Sequence, residues 1–347
     1  MNPMEPLETR LKEQARALGF DLVGVAPAGP ADGFDRLRDW LARGFAGEMH
    51  YMHRHAEARR HPDAVLQEVR SVVMLGMNYY PGAEEAPNEP GRGRVARYAR
   101  GADYHDVLRG RLNQLLEWLQ REAPGCLGRG VVDTAPLLER DFARRAGLGW
   151  VGKNTMLLNK RLGSYFFLAA LLVDVELRPD APFEATHCGT CTACLDACPT
   201  AAFVAPGVLD SRRCISYLTI ELKGDVPPDL RGGVGDWLFG CDVCQEVCPW
   251  NRKAPAATLP RRPELESLDA IELLGMSEEE FRRRFRGTAL TRAKRRGLLR
   301  NAALVLGNTG DDRALPALRR ALEDVEPIVR EAARWAIAEI EQRLSAN

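Results

Sequence analysis

"CGTCTACLDACP", residues 188–199, sets four cysteines in twelve positions, and "CDVCQEVCP", residues 241–249, repeats most of that spacing. Cys188, Cys191, Cys194 and Cys198 before Pro199 fit C-x2-C-x2-C-x3-C-P without a gap. In that run three closely spaced thiolates bind one four-iron cluster and the fourth reaches across to a second. The later set, Cys241, Cys244 and Cys248 before Pro249, lacks one near cysteine, which Cys214 can supply from upstream. By the same logic Cys248 completes the cluster of Cys188, Cys191 and Cys194, and Cys198 joins Cys214, Cys241 and Cys244. Eight of the nine cysteines are then used, in two [4Fe–4S] cubanes close enough to exchange electrons. Structural zinc also uses C-x2-C pairs. It does not account for the triple spacing, for both Cys-Pro endings or for a total of eight. Cys126 has no partner in the pattern and reads as a buried or incidental thiol.

The chain has 347 residues, room for two or three domains, and its 28% charged and 45% hydrophobic content is that of an ordinary soluble globular protein. Its formal net charge is zero, so attraction to a polyanion must come from a local patch. The first twenty residues, "MNPMEPLETRLKEQARALGF", carry acids and no continuous apolar core, so no secretory leader is expected. The longest apolar run, Tyr165 to Val173, is about half of what a bilayer span needs and reads as a core strand. A cytoplasmic protein is expected, with no membrane partner. In that compartment clustered cysteines hold metal or do redox work and seldom form disulfides.

Ahead of the cysteines, helical and strand patterns alternate. "PLETRLKEQARALGF" has helical apolar spacing and "DLVGVAPA" follows as a short strand. "SVVMLGMNYY" reads as a buried strand, "YHDVLRGRLNQLLEWLQREA" as a long amphipathic helix, "GRGVVDTAP" as a strand running into a loop, and "SYFFLAALLVDVEL" as a last strong strand. Such alternation over about 175 residues points to an α/β layer domain. Pro179 and Pro182 mark its end. Beyond Pro260 the pattern is helical, and Arg-x-Ala-Ala recurs at Arg300 and Arg330, the mark of HEAT-like helical pairs. Two turns of that motif are few for a free-standing solenoid, so it should pack onto the rest of the chain. The segments expected are 1–180, 181–255 and 256–347.

An electron carrier needs only the middle segment, so chemistry is sought before it. Asp133 follows a β-branched pair and precedes a Pro-containing turn, a place where strand ends present catalytic groups. Apolar surroundings there would keep a carboxyl protonated and fit for general acid catalysis. From the pattern alone, a cap on a helix beginning near Pro136 is the plainer reading. "GLGWVGKN" is a Gly-rich loop that fits neither the Walker nor the dinucleotide pattern. "DYHDVLRG" departs from the Asp-x-His-x-x-Gly pattern of a cobalt-ligating histidine at Leu108, so His105 is kept only as a residue lining a site. Arg282 to Arg300 hold nine Lys or Arg and no acid. That is what a solvated helix face shows, given that 42 of the 48 basic residues are Arg; leading into a helical repeat, it is also what a phosphate-backbone grip shows.

Together, "ARGADYH", "DTAPLLERDFARRAGLGWVGKNTMLL", "CGTCTACLDACPT", "CISYLTIELKG", "CDVCQEVCPWN" and "AKRRGLLRNAALVLGN" resemble the epoxyqueuosine reductases, in order from about residue 10 to the C-terminus. The resemblance implies an α+β multidomain protein. Its parts are an α/β cobalamin-binding domain, a ferredoxin-like domain with two [4Fe–4S] clusters, and a C-terminal HEAT-like α-helical repeat that holds the tRNA anticodon stem-loop. It implies two-electron reduction of epoxyqueuosine to queuosine at the wobble position of tRNA. Base-off cobalamin, fed by the clusters as Co(I), opens the epoxide, and an external low-potential electron donor feeds the clusters. Asp133 falls on the proton donor and also touches the corrin. The other corrin contacts fall on Lys153, Asn154, Thr155, Leu157, Leu168, Ser216, Asp242 and Val243, and the tRNA grip falls on Arg292, Lys294, Arg295, Arg296 and Arg300. Arg100 departs from the aromatic residue expected in "YARGADYH", on one wall of the site. A reductive dehalogenase shares these cofactors but has no use for the basic helical tail. An electron carrier leaves Asp133 and the first 175 or so residues idle.

Overall fold

The strand Ser71–Asn78 (β2) is buried at all eight positions, because helices cover both faces of its sheet. The computed structural model describes residues 5–82 and 89–346. Residues 1–4, the head of the stretch read for a leader, lie outside the described residues. Leu22–Pro27 (β1) pairs with one edge of β2 and Phe166–Val173 (β7) with the other, and Gly128–Val131 (β4) closes the order β1-β2-β7-β4. Every pairing is antiparallel, and β2 and β7 match through eight positions from Ser71 opposite Val173 to Asn78 opposite Phe166. Helices and strands do alternate in sequence, yet they build the layers without parallel crossovers. Period-two alternation sorts β2 between two cores. Val73 and Leu75 meet Leu11, Leu108 and Leu112 of helices Leu7–Ala17 and Tyr104–Glu122, whereas Val72 and Met74 meet Phe142 and Ala143 of helix Glu139–Arg145.

A second sheet knits the sequence segments together. Arg92–Val95 (β3) lies between Trp237–Phe239 (β10), which runs parallel to it, and Ser267–Asp269 (β11), which runs antiparallel. Each strand comes from a different side of the breaks at 180 and 255. Two small hairpins complete the strands, Trp150–Val151 (β5) with Leu157–Leu158 (β6), and Phe203–Ala205 (β8) with Val208–Leu209 (β9).

The two cysteine runs fold as near copies. Each carries a single helical turn, Ala193–Asp196 in one and Val243–Glu246 in the other. Each turn ends with φ −79° and ψ −9°, at Ala197 and Val247, just before the Cys-Pro pair. The C-terminal helices Lys294–Thr309, Leu315–Ala321 and Pro327–Ala346 share one core with β3, β10 and the helix Ile215–Ile220. Every residue from Gly297 to Gly307 is buried, as expected of a helix packed all round. Gly307 is needed there: a Cβ would lie 2.4 Å from the Trp335 ring. Among the described residues no helix is long and apolar enough to cross a membrane.

Candidate active site

A cavity of about 470 Å³ opens between the antiparallel layer and the second cysteine set. Tyr98, Asp103, Tyr104, His105 and Asp133 wall it on one side, Cys214, Ser216 and Tyr217 on another, and Thr291 and Arg292 close it near the basic segment. Helix Tyr104–Glu122 starts here because the Asp103 side chain caps it, accepting from the His105 amide at 3.0 Å. That start sets two ring groups side by side, facing the end of β4. Tyr104 stacks on Phe167 with centroids 4.5 Å apart and donates its hydroxyl to Asp133 Oδ2 at 2.9 Å. His105 Nε2 lies 3.4 Å from the same oxygen, and its Nδ1 lies 2.8 Å from Asp103 Oδ1.

Asp133 itself takes a left-handed conformation, φ 55°, in the loop after β4. Its amide donates to Glu139 Oε1 at 2.8 Å. Two expectations fail at this residue. It does not cap the next helix, which begins at Glu139 after Leu138 with no side-chain cap. Nor do apolar surroundings keep it protonated: the side chain is 62% exposed in the cleft. The hydrogen bond from His105, and then that from Tyr104, hold its carboxyl below the usual carboxylate range. The proton sits instead on His105, whose pKa is pushed up to about 9, first by Asp103 and then by Asp133. Both of its ring nitrogens are thus committed to carboxylates, and His105 lines the site without a free nitrogen for a metal. Tyr104 is held neutral by burial and the nearby Asp133 charge, so it acts as a donor.

The cysteines gather in two places. Cys188, Cys191, Cys194 and Cys248 line a second cavity of about 270 Å³, together with Lys153, Asn154, His187 and Trp250. Cys198 and Cys214 are electrostatic neighbours of Cys241, and Cys214 of Cys244. Burial raises the thiol pKa of Cys194, Cys214, Cys241, Cys244 and Cys248. Thiols of this kind ionise only against a strongly cationic centre, which is what an iron–sulfur cluster supplies. Among the described residues no three His, Cys, Asp or Glu converge as a single-ion site requires. Cys126 is 5% exposed, buried in the core beneath helix Tyr104–Glu122.

The residues that the resemblance assigns to the corrin divide between the two cavities and the core. Of the corrin set, Asp133 and Ser216 line the large cleft. Lys153 and Asn154 turn to the cysteine cavity: Lys153 Nζ donates to the carbonyls of Gly189 at 2.7 Å and Cys191 at 3.0 Å, and Asn154 reaches the Cys244 carbonyl. Thr155 holds a left-handed turn, φ 65°, Leu157 is buried in the layer core, and Leu168 packs partly buried beside it. Asp242 is 1% exposed and its side chain accepts from the Arg97 amide at 2.7 Å, and Val243 opens the short helix beside it. Arg100 is no wall of the cleft; it is buried, donating to the Val95 carbonyl at 2.6 Å.

The basic run divides in the same way. Arg300 is 1% exposed and donates to the carbonyls of Leu218, Leu222 and Gly224, so it ties the helical repeat to the cluster segment and grips no phosphate. Arg295 is bound to Asp324 at 2.5 Å and to the Met276 carbonyl. Lys294 and Arg292 are exposed, Arg292 beside Glu221 at 2.9 Å on the cleft rim, and Arg296 is half-buried. Glu139, Tyr98 and Glu221 belong to the site as well. No local pattern marks them, because Glu221 meets Arg292 from far along the chain, Glu139 reaches Asp133 across a loop, and Tyr98 meets Tyr104 only through a turn between them.

Three family models match in succession: epoxyqueuosine reductase QueG (DUF1730) at residues 59–134, a 4Fe-4S double cluster binding domain at 187–251, and HEAT repeats at 264–346. The epoxyqueuosine reductase of Pseudomonas aeruginosa is 44% identical over 346 residues, covering 97% of this chain and 96% of that one. That of Escherichia coli K12 is 41% identical over 351 residues, covering 99% and 92%. An epoxyqueuosine reductase solved with an epoxyqueuosine-modified tRNA stem loop superposes with a TM-score of 0.90 at 36% identity, covering 96% of this chain and 90% of that one. The Bacillus subtilis enzyme, solved with its catalytic aspartate loop swung out of the active site, superposes at 0.87 and 35% identity, with 96% and 90% covered. Relatives of that identity across nearly the whole chain, and a fold shared end to end, place this chain in the epoxyqueuosine reductase family.

Proposed function

We propose that the cleft around Asp133 is where the epoxide of epoxyqueuosine, at the wobble position of a tRNA anticodon, is reduced to the alkene. Two electrons and two protons convert an epoxide to an alkene and water. The observation that carries this reading is that one cleft has the Asp133 carboxylate on one wall and the Cys214 thiol on another. Proton supply and electron supply therefore meet in one place.

Ring opening puts negative charge on oxygen, and a proton delivered in that step lowers the barrier. His105 holds the proton, and Asp133, 3.4 Å away, passes it to the ring oxygen. Substrate covering the cleft desolvates the carboxylate and raises its proton affinity at the moment it is needed. Tyr104 stays hydrogen-bonded to Asp133 and orients it. A Bacillus subtilis relative is solved with its catalytic aspartate loop swung out of the active site, and we take the Asp133 loop as its counterpart.

Base-off cobalamin, when bound, supplies a Co(I) nucleophile strong enough to open an epoxide. The cleft fits a flat group of this kind. It is open, walled by the rings of Tyr98 and Tyr104, contacted by Ser216, and bordered by a cysteine of the second cluster set. Both ring nitrogens of His105 face carboxylates, so a corrin bound here would be held by other residues of the cleft. Cys188, Cys191, Cys194 and Cys248 would hold one cluster and Cys198, Cys214, Cys241 and Cys244 the other, and clusters held there would supply electrons drawn from an external low-potential donor. Arg292, Lys294 and Arg296 hold the anticodon stem-loop over the cleft mouth, in a cytoplasmic protein. Anaerobic reconstitution with iron, sulfide and cobalamin, then nucleoside analysis of treated tRNA, tests the whole. Queuosine formed only with all three is the expected result, and cobalamin-independent turnover overturns the cofactor assignment.

A further inference from the structure

We infer that Glu139 is a positioning residue that holds the Asp133 loop in the cleft through the Asp133 backbone amide. The inference rests on the reading of Asp133 as proton donor. Between β4 and helix Glu139–Arg145 the backbone bonds are local: the Thr134 amide to the Val132 carbonyl at 2.5 Å, the Leu137 amide to the Ala135 carbonyl at 2.8 Å, and the Asp141 and Phe142 amides to the Leu138 carbonyl, while Leu137 and Leu138 pack in the layer core. They anchor the end of the loop nearest the helix and leave the direction of Asp133 to other contacts. Three contacts among the described residues tie Asp133 to its surroundings. Two of them, from Tyr104 and His105, fall on carboxylate Oδ2, on the group whose protonation changes as it serves the substrate. The third, the amide of Asp133 to Glu139 Oε1 at 2.8 Å, does not involve the carboxyl at all. It is the contact that persists while the carboxyl exchanges its proton.

Asp133 also needs such a contact. At φ 55° it occupies a region that side-chain-bearing residues visit rarely and leave easily. The Thr134 to Val132 bond closes a tight turn around Asp133 in that conformation, and a carboxylate acceptor on the Asp133 amide adds a charge-assisted bond that holds the turn in place. Glu139 is placed to give it because it opens the helix whose Phe142 and Ala143 are anchored in the core against β2. Helix packing is thereby transmitted to the loop. Burial and then the Asp133 charge push the Glu139 pKa up to about 7, so the acceptor is a full carboxylate only on the alkaline side of neutrality. Arg59 and Arg140 are the cations whose charge counters that rise, and Tyr51 lies beside Arg59.

The test uses the reconstituted holoenzyme. Glu139→Ala should lower kcat about ten- to hundredfold, the range of one hydrogen bond to a charged group. KM for tRNA and iron content should not change, and amide exchange of residues 132–138 should speed up. Glu139→Gln keeps an acceptor oxygen, so it should recover most of the kcat and the slow exchange, and should lose the acid-side fall in rate near pH 7. Unchanged exchange in Glu139→Ala overturns the inference. So does faster exchange with an unchanged kcat. Asp133→Asn, assayed alongside, separates the two claims: if that variant turns over normally the proton-donor reading has failed, whereas exchange at 132–138 still reports on Glu139.

Discussion

His105 bridges two carboxylates, with Nδ1 2.8 Å from Asp103 Oδ1 and Nε2 3.4 Å from Asp133 Oδ2. The imidazolium is therefore favoured by the fold, and the raised pKa of about 9 has a stability consequence. A group whose pKa is higher folded than unfolded stabilises fully below its unfolded value, about 6.5 for His, and loses that contribution as pH rises through the folded value. Between about pH 6.5 and 9 the wild type should lose roughly 1–2 kcal/mol relative to His105→Gln, a figure discounted because Asp133 is solvent-exposed. Unfolding of both proteins across this range measures it. A gap that does not change with pH removes the bridge as an electrostatic element.

Asp133→Asn is the direct probe of proton delivery. Asn is nearly isosteric and tolerates the left-handed conformation at φ 55°. Cluster content and tRNA affinity should therefore stay near wild type, and the unfolding temperature should fall only slightly, through the lost charge beside His105. Turnover, with reductant in excess, should fall roughly a hundred- to ten-thousandfold, because an amide cannot deliver the proton. Near-normal turnover would remove Asp133 from the mechanism.

The exchanged fourth ligands are tested by two single substitutions. Cys248→Ala should damage the cluster of Cys188, Cys191 and Cys194, and Cys214→Ala the other. Each should leave about four of roughly eight irons per chain. Electron paramagnetic resonance of the reduced proteins should then show a different surviving cluster in each variant. The same surviving signal in both would mean that the pairing is wrong.

Arg300 and Lys294 should behave oppositely, although both lie in one basic run. Arg300→Ala removes the donor to the buried Leu218 carbonyl and the part-buried carbonyls of Leu222 and Gly224 and empties a buried site, and should cost about 3 kcal/mol of stability. Replacing Lys294 and Arg296 with Ala should leave stability alone and lower the salt dependence of tRNA binding by about one unit of slope per lost phosphate contact. An unaltered slope would assign these two residues to a solvated helix face.

Patterns that repeat at fixed short spacing could be read from the chain alone. The cysteine runs, the buried strands at Ser71 and Phe166, the helix at Tyr104 and the Arg-x-Ala-Ala return all rest on contacts a few residues apart or on one-dimensional periodicity, and each stands in the fold where it was expected. Asp133 was singled out for the same reason, as the residue where a strand ends in a turn.

Other features depend on which segments become neighbours, and no local pattern encodes that. A helix–strand alternation does not distinguish parallel crossovers from the antiparallel order β1-β2-β7-β4, because that order is set by which edges pack together. Whether an Arg grips phosphate or a carbonyl is a matter of burial: Arg300 and Arg296 are alike in sequence, but only Arg300 meets the carbonyls of residues 218–224. The ionisation of Asp133 follows the same rule. Its carboxyl would be held neutral in an apolar pocket, and it is held ionised because a helix begun almost thirty residues earlier sets Tyr104 and His105 against it.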